Sequence, residues 1–210
     1  MRGDIDVLWV LDIVGISVFA ASGALLALER GFDLVGLLAL GTVTALGGGV
    51  LRDLIVHQGV PVAFDSPTPF ITAALAALIT VGLNGILRRW RRTFLTFDAV
   101  GLALFSVTGA AIALDAGLLA IPATLVGVMT ATGGGIVRDV LAGQPPQIFR
   151  ADSTLYAIPA ALGAGILVAG SRLGLADSPA ALLGAGVVLV VRLGALQFGW
   201  RAPVPTHKRR

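Results

Sequence analysis

Long runs of residues without a charged side chain limit most strongly how this chain can fold. Four such runs lie at 34–51, 66–87, 116–137 and 153–171. Each is close to the roughly 20 apolar residues that cross the hydrocarbon core of a bilayer. Only 13% of the 210 residues are charged, and the mean hydropathy is +0.92. A soluble fold would leave too little polar surface around several such helices, so the chain is predicted to be an integral membrane protein.

Charges, glycines and prolines divide the chain into seven predicted transmembrane helices. The last is the least typical, because it contains Arg192, whose long side chain would have to reach an interface. The expected fold is all-α, with one transmembrane domain at residues 1–200 and a short basic tail at 201–210. The helices are expected near residues 7–28, 33–57, 69–88, 94–115, 118–142, 154–172 and 179–199.

Two basic clusters predict the orientation in the membrane. They are RRWRRT at 88–93 and the tail RAPVPTHKRR at 201–210. An odd number of predicted helices separates each cluster from the N-terminus, so both fall on the side that the positive-inside rule assigns to the cytoplasm. The N-terminus is therefore expected outside and the C-terminus in the cytoplasm. We interpret these arginines as topology signals near lipid headgroups, so membrane lipids are expected partners and nucleic acid is not.

The chain repeats itself with an offset of 86 positions. Residues 12–55 align without a gap to residues 98–141, with 17 identities in 44 pairs. The third predicted helix of each half follows with weaker similarity, so repeat 1 covers about 7–88 and repeat 2 about 94–172, with the seventh helix outside both. Because three crossings make up each repeat, the second repeat must enter the bilayer in the opposite sense. This is the inverted-repeat architecture of many transporters and channels.

The most similar segments of the two repeats are TALGGGVLRD at 44–53 and TATGGGIVRD at 130–139. Three consecutive glycines cost a helix roughly 3 kcal/mol relative to alanine. Close packing of small residues explains many membrane glycines, but two symmetric triplets near mid-span favour kinked helices beside a permeation or binding site. The nearby threonines either bond their own helix or line a wet path. The predicted hinge and pore residues are Gly47, Gly48, Gly49, Gly133, Gly134, Gly135, Thr44, Thr130 and Thr132.

An Arg-Asp pair follows each glycine triplet, and charges at that depth need partners or water. Adjacent residues on a helix point about 100° apart, so the two members of each pair are expected to be poor partners for each other. We expect the arginines to pair instead with repeat-related acids at the starts of the first and fourth helices. These predicted pairs are Asp12 with Arg52 and Asp98 with Arg138.

Asp53 and Asp139 would then be the acids freer to meet a cation. The alternative is that the paired charges are structural locks only. Both possibilities follow from the same residues, so the sequence alone leaves them open.

No motif for covalent chemistry is present in the sequence. It contains no nucleotide-binding loop ending in Lys-Ser or Lys-Thr, no His-Glu-x-x-His and no nucleophile elbow. There is no cysteine, and His57 and His207 are far apart, so no metal site is predicted beyond transient binding of a monovalent cation. The sequence predicts no cofactor and no enzymatic activity.

Together, GGGVLRD and GGGIVRD in helices two and five, the seven spans and the inverted three-helix repeats resemble the prokaryotic trimeric intracellular cation (TRIC) channel family. The resemblance covers residues 7–199. It implies a homotrimer in a bacterial or archaeal cytoplasmic membrane. Each protomer would hold a separate pore, bounded by bent helices two and five, that passes monovalent cations, chiefly potassium. The glycines, arginines and aspartates of the two motifs would bound that pore.

The resemblance also bears on whether phosphoinositide lipids gate the channel. The animal members carry a lysine-containing motif linked to phosphoinositide binding, whereas this chain has Gly-Gly-Gly there and a single lysine, Lys208, so phosphoinositide gating is not expected.

The same bacterial group has also been described as a glycine transporter domain. In such a carrier Arg52 or Arg138 would hold a carboxylate. Channel and carrier both need bent helices and a polar site near the midplane, so the sequence leaves both open.

Overall fold

A computed structural model describes residues 2–56, 59–83, 85 and 93–203, with side chains from residue 7 onward. Over these residues the chain is helical apart from turns and one isolated β-bridge between Thr154 and Arg201. The α-helices are α1 (Arg2–Glu29), α2 (Leu34–Val56), α3 (Val62–Asp65), α4 (Thr68–Gly82), α5 (Thr93–Asp115), α6 (Ala120–Leu141), α7 (Ala157–Arg172) and α8 (Asp177–Phe198), with a 3₁₀-helix at Gln147–Phe149.

Five of these helices, α1, α2, α5, α6 and α8, are long and apolar enough to cross a membrane. They coincide with five of the seven predicted spans. The predicted spans at 69–88 and 154–172 contain α4 and α7, which have only 15 and 16 residues. At 1.5 Å per residue these helices are roughly 22–24 Å long, shorter than a hydrocarbon core of about 30 Å. Most of the basic segment 88–93 lies outside the described residues, as do His57, His207 and Lys208.

The ends of α1 and α5 show why the two halves of the sequence share glycines. Gly31 and Gly117 follow these helices with φ values of 72° and 83°, a conformation that glycine adopts without strain. The next residue in each case, Phe32 or Leu118, donates its backbone N–H to a carbonyl five residues back at 3.0 Å. These bonds complete the helix ends in the Schellman arrangement.

The two halves of the chain meet through α1 against α5 and α2 against α6. Within the halves, α1 also packs on α2 and α4, while α5 packs on α6 and α7, and α8 covers α5 and α7. Phe19 and Phe105 meet edge to face, with ring centroids 5.2 Å apart. Phe105 fills the space above Gly15, and Phe19 fills the space above Gly101. These contacts hold α1 against α5, the most buried of the long helices, while α2 and α6 lie against each other.

Large apolar side chains cover much of the outer surface of the helices. Leu75 on α4, Ile121 on α6 and Val190 on α8 are 54%, 75% and 72% exposed. Patches of this kind are rare on soluble monomers and indicate contact with lipid or with other protein.

Candidate functional site at the two Gly-Gly-Gly-x-x-Arg-Asp motifs

The two glycine triplets form the point where α2 and α6 cross. A Cβ atom on Gly48 would overlap the carbonyl oxygen of Thr130, and one on Gly134 would overlap the carbonyl oxygen of Thr44. A Cβ on Gly133 would stand 3.3 Å from the Cα atom of Gly48. Both helices continue without interruption through their triplets. The glycines therefore allow two backbones to touch, which is the packing role that small membrane residues often have.

The third glycine of each triplet faces the arginine three residues later instead. Gly49 has only the Nη2 atom of Arg52 near its missing Cβ, at 3.8 Å. At Gly135 a Cβ would come 2.5 Å from the Tyr156 hydroxyl and 3.6 Å from Arg138 Nη2. These two positions join the helix crossing to the charged groups that follow it.

The threonines of the motifs bond their own helices. Thr44 donates to the carbonyl of Leu40 at 2.5 Å, and Thr130 donates to that of Val126 at 2.7 Å. Thr132 donates to the carbonyl of Val128 at 2.8 Å. Of the two roles expected for these hydroxyls, they take the bond to the carbonyl four residues back.

The first charged cluster comprises Asp12, Arg52 and Asp53. Arg52 Nε donates to Asp53 Oδ1 at 2.7 Å, while Arg52 Nη1 lies 3.8 Å from Asp12 Oδ1. The second oxygen of Asp53 accepts the N–H of Val62, the first residue of α3, at 3.0 Å. The side chains of Arg52 and Asp53 are 5% and 6% exposed, and that of Asp12 is 30% exposed. Arg52 Nη1 is buried without a hydrogen-bond acceptor.

The second charged cluster comprises Asp98, Arg138, Asp139, Tyr156 and Arg192. Arg138 Nη1 donates both to Asp98 Oδ1, at 2.7 Å, and to the hydroxyl of Ser22, at 2.8 Å. Arg138 Nε donates to Asp139 Oδ1 at 3.0 Å. The side chains of Asp98 and Arg138 are fully buried, and that of Asp139 is 1% exposed. This cluster is closed to solvent.

The second oxygen of Asp139 accepts the N–H of Gln147, the first residue of the 3₁₀-helix, at 3.0 Å. Asp139 thus holds the loop after α6 as Asp53 holds the loop after α2. Each carboxylate satisfies a backbone N–H that the short helix cannot satisfy itself.

Both predicted ion pairs are confirmed, since Asp12 meets Arg52 and Asp98 meets Arg138. The prediction that Asp53 and Asp139 are freer acids is wrong, because each is engaged by its neighbouring arginine and by a backbone N–H. Although adjacent Cβ atoms point about 100° apart, the long arginine side chain curls back to the next carboxylate. A proline directly before each short helix, Pro61 or Pro146, is the sequence signal that marks these turns.

Three groups at the second cluster were not predicted from the sequence: its members Tyr156 and Arg192, and Ser22, which accepts a hydrogen bond from Arg138. Tyr156 donates its hydroxyl to Asp98 Oδ1 at 3.2 Å. Arg192, from α8, is fully buried and lies over the Tyr156 ring at 4.8 Å. The signal for Arg192 was a lone charge in an apolar span, which needs a partner at membrane depth.

The two clusters differ in how completely they are filled. Beside the first cluster lies a cavity of about 30 Å³, lined by Asp12, Gly49, Arg52 and Phe105 among others, which is room for about one water molecule. The hydroxyl of Thr108, the repeat equivalent of Ser22, is buried without a hydrogen-bond partner. Ser22 accepts a hydrogen bond from Arg138, whereas the equivalent pair, Thr108 and Arg52, makes no such bond.

A family model described as glycine transporter matches the chain twice, at residues 9–84 and 95–172. The two matches coincide with the two halves of the sequence, and together they cover most of the chain.

Solved structures identify the family further. The chain is 36% identical to the TRIC trimeric intracellular cation channel orthologue from Rhodobacter sphaeroides, with a TM-score of 0.87 over 92% of this chain and 98% of that one. The chain belongs to the prokaryotic TRIC channel family. A second TRIC cation channel is 33% identical, with a TM-score of 0.84 over 96% of this chain and 98% of that one. The description "glycine transporter" is a historical label of the family model that matches this TRIC-family chain.

Curated relatives of this TRIC-family chain are membrane proteins. The UPF0126 inner membrane protein YadS of Escherichia coli is 39% identical over 93% of this chain and 94% of its own length. The UPF0126 membrane protein YvgT of Bacillus subtilis is 37% identical over 92% and 94%. Together with the five long apolar helices, these relatives show a multi-pass membrane protein of a type found in bacterial inner membranes.

Proposed function

We propose that this TRIC-family protein is a monovalent cation channel, chiefly for potassium, with a pore in each protomer bounded by α2 and α6. The observation that carries the proposal is the pair of buried Arg-Asp clusters that flank the crossing of these helices. Buried ionisable groups in a membrane protein mark ion or substrate pathways by default. The similarity to two solved cation channels, at 36% and 33% identity, supports the same function.

Reciprocal contacts support a two-fold relation between two inverted three-helix repeats, which together with α8 outside them would make seven crossings. Gly48 lies against Thr130, and its repeat equivalent Gly134 lies against Thr44, the equivalent of Thr130. Contacts in which i meets j and j meets i are what a two-fold axis generates. A pseudo-two-fold axis in the membrane plane places the binding or conduction site between the repeats, near the midplane.

The glycine triplets give α2 and α6 a place to bend. In the described state both helices are continuous and touch at Gly48 and Gly134. A pore between them has to open by bending or separation of these backbones, and a glycine run makes a helix easier to bend. The hydroxyls of Thr44, Thr130 and Thr132 would then exchange their carbonyl partners for water.

The proposed function includes an assembly of protomers and an orientation in the membrane. The proposed assembly is a homotrimer in a prokaryotic cytoplasmic membrane, with the N-terminus outside and the C-terminus inside. The exposed apolar faces of α4, α6 and α8 would contact lipid or neighbouring protomers. In this orientation the first cluster lies toward the outside and the second toward the cytoplasm.

A small amino-acid carrier is the second candidate, and one observation favours it. Arg52 lines the cavity of about 30 Å³, and its buried Nη1 atom has no hydrogen-bond acceptor. A guanidinium beside a cavity, with one nitrogen that makes no hydrogen bond, is suited to a carboxylate such as that of glycine. The cavity would have to enlarge for this ligand to enter.

Current through the purified protein in planar bilayers under a potassium chloride gradient tests the channel directly. We expect unitary steps that reverse near the potassium potential. The double variant Gly48→Leu, Gly134→Leu should lose them, because both side chains would enter the α2–α6 contact. Gly186→Leu on α8 is the matched control, since nothing lies within 4 Å of its missing Cβ. Absence of current together with saturable glycine uptake into liposomes would favour the carrier.

A further inference from the structure

Arg192 has no equivalent in the first half of the chain, because α8 follows both repeats. Its Nη1 atom donates to the Thr154 hydroxyl at 2.8 Å and to the carbonyl of Leu155 at 2.6 Å. Its Nη2 atom donates to Gln147 Oε1 at 2.8 Å and lies 3.8 Å from Asp98 Oδ2. The guanidinium is thus held in one place by neutral groups, with its charge directed at a carboxylate.

This extra guanidinium makes the two clusters electrically unequal. The second cluster has two carboxylates and two guanidiniums, which gives a formal charge of zero. The first has the carboxylates of Asp12 and Asp53 with the guanidinium of Arg52, which leaves one negative charge. No other basic side chain among the described residues forms an ion pair with these two acids.

Arg192 also occupies the place where a permeating cation would meet the second cluster. Asp98 Oδ2 is buried without a hydrogen-bond donor, and Arg192 Nη2 lies 3.8 Å from it. At the first cluster the corresponding space is the cavity beside Asp12 and Arg52, and Asp12 is partly exposed. The first cluster therefore attracts a mobile cation, whereas Arg192 already neutralises the second cluster.

We infer that Arg192 makes conduction through each protomer asymmetric. This inference rests on the proposed channel function. A fixed negative charge at one mouth of a pore raises the local concentration of cations there, and a neutral mouth does not. Cations entering at the first cluster should therefore carry the larger unitary current.

Single-channel recording in symmetrical potassium chloride measures this asymmetry as the ratio of unitary currents at the two polarities. In the wild type we expect unequal currents at 0.1 M salt. Arg192→Gln should raise the smaller current, on the order of two-fold, and bring the ratio toward one. Asp12→Asn should reach a similar ratio by lowering the larger current. Both effects should shrink at 1 M salt, where the Debye length falls to about 3 Å.

Two further variants separate charge from structure. Arg192→Lys retains the charge and should retain unequal currents, even if its conductance differs. Arg172→Gln makes the same chemical change on an exposed residue at the end of α7 and should leave the ratio unchanged. An Arg192→Gln channel with the wild-type ratio at 0.1 M salt would overturn the inference while leaving the channel function intact.

Melting temperature in detergent provides a readout that does not depend on current. Potassium chloride should stabilise Arg192→Gln more than the wild type, relative to choline chloride at equal concentration, because the variant exposes Asp98 to a small cation. Equal stabilisation of the two proteins would overturn the inference. Absence of any wild-type current, by contrast, contradicts the proposed channel, and the melting comparison then still decides whether Arg192 replaces a bound cation.

Discussion

At the scale of single residues, the two motif arginines have the same sequence context and different surroundings. Arg138 has a fully buried carboxylate at 2.7 Å and the hydroxyl of Ser22 at 2.8 Å. Arg52 has a partly exposed carboxylate at 3.8 Å. Each arginine has one buried nitrogen without an acceptor, Arg52 Nη1 and Arg138 Nη2, so the difference lies in the carboxylate and the hydroxyl. A buried charge depends strongly on each partner, because water cannot replace a lost one.

This difference predicts unequal effects of removing the two partner acids. Asp98→Asn should lower the free energy of unfolding by about 3 kcal/mol, because it leaves a buried guanidinium uncompensated. Asp12→Asn should lower it by less than about 1 kcal/mol, since the pair is long and Asp12 is partly hydrated. Denaturant titration in detergent micelles measures both. Equal losses would mean that the two clusters are equally closed in solution.

The sequence predicted these residues better than it predicted their bonds. Spacing and repeat symmetry identified the Asp12–Arg52 and Asp98–Arg138 pairs, because an unpaired charge at membrane depth is costly. The bonds between adjacent Arg and Asp depend on arginine rotamers, which no spacing rule specifies. Arg192 could not be assigned to the site from the sequence, since its partner Asp98 is 94 positions away and belongs to another element.

At the scale of helices, the contact between α2 and α6 is the element pair most sensitive to small changes in side-chain size. The missing Cβ atoms of Gly48 and Gly134 would each overlap a carbonyl oxygen of the opposite helix. A backbone carbonyl in a helix cannot rotate away as a side chain can, so any added methyl group has to separate the helices. Overpacking of this kind costs typically about 1–3 kcal/mol.

Gly48→Ala should therefore lower the free energy of unfolding by about 2 kcal/mol, despite the better helix propensity of alanine. Gly165→Ala on α7 should leave it unchanged or raise it by up to about 1 kcal/mol, because nothing lies within 4 Å of the added atom. The comparison uses the same substitution in two helices of one protein. A stabilised Gly48→Ala variant would show that α2 and α6 are further apart than described.

The sequence predicted where the helices lie, but it predicted their lengths only in part. Among the described residues, each of the five long apolar helices lies at a span that charges, glycines and prolines had marked out, because membrane spans need continuous apolar surface. The spans expected at 69–88 and 154–172 contain helices of only 15 and 16 residues. The segment before α7 is instead held by Arg192 and by the bridge from Thr154 to Arg201, which are tertiary contacts between distant parts of the chain.

At the scale of the whole molecule, the proposed inverted arrangement predicts where the two loops that follow the motifs lie. The loop after α2 contains Val60, which is 67% exposed, and the loop after α6 contains Ala151, which is also exposed. If the repeats are inverted, equivalent loops lie on opposite sides of the membrane. The basic segments at 88–93 and 201–210 then place the loop after α6 in the cytoplasm.

Labelling of single cysteines measures this directly, because the natural chain contains no cysteine. In intact cells, Val60→Cys should react with a membrane-impermeant maleimide, and Ala151→Cys should react only after the membrane is permeabilised. Both substitutions are at exposed loop positions, so neither should disturb the packing of α2 against α6. Labelling of both variants in intact cells would place the two loops on one side, which two inverted repeats cannot produce. Labelling of Ala151→Cys alone would keep the inversion and reverse the orientation, with the second cluster and Arg192 then facing the outside.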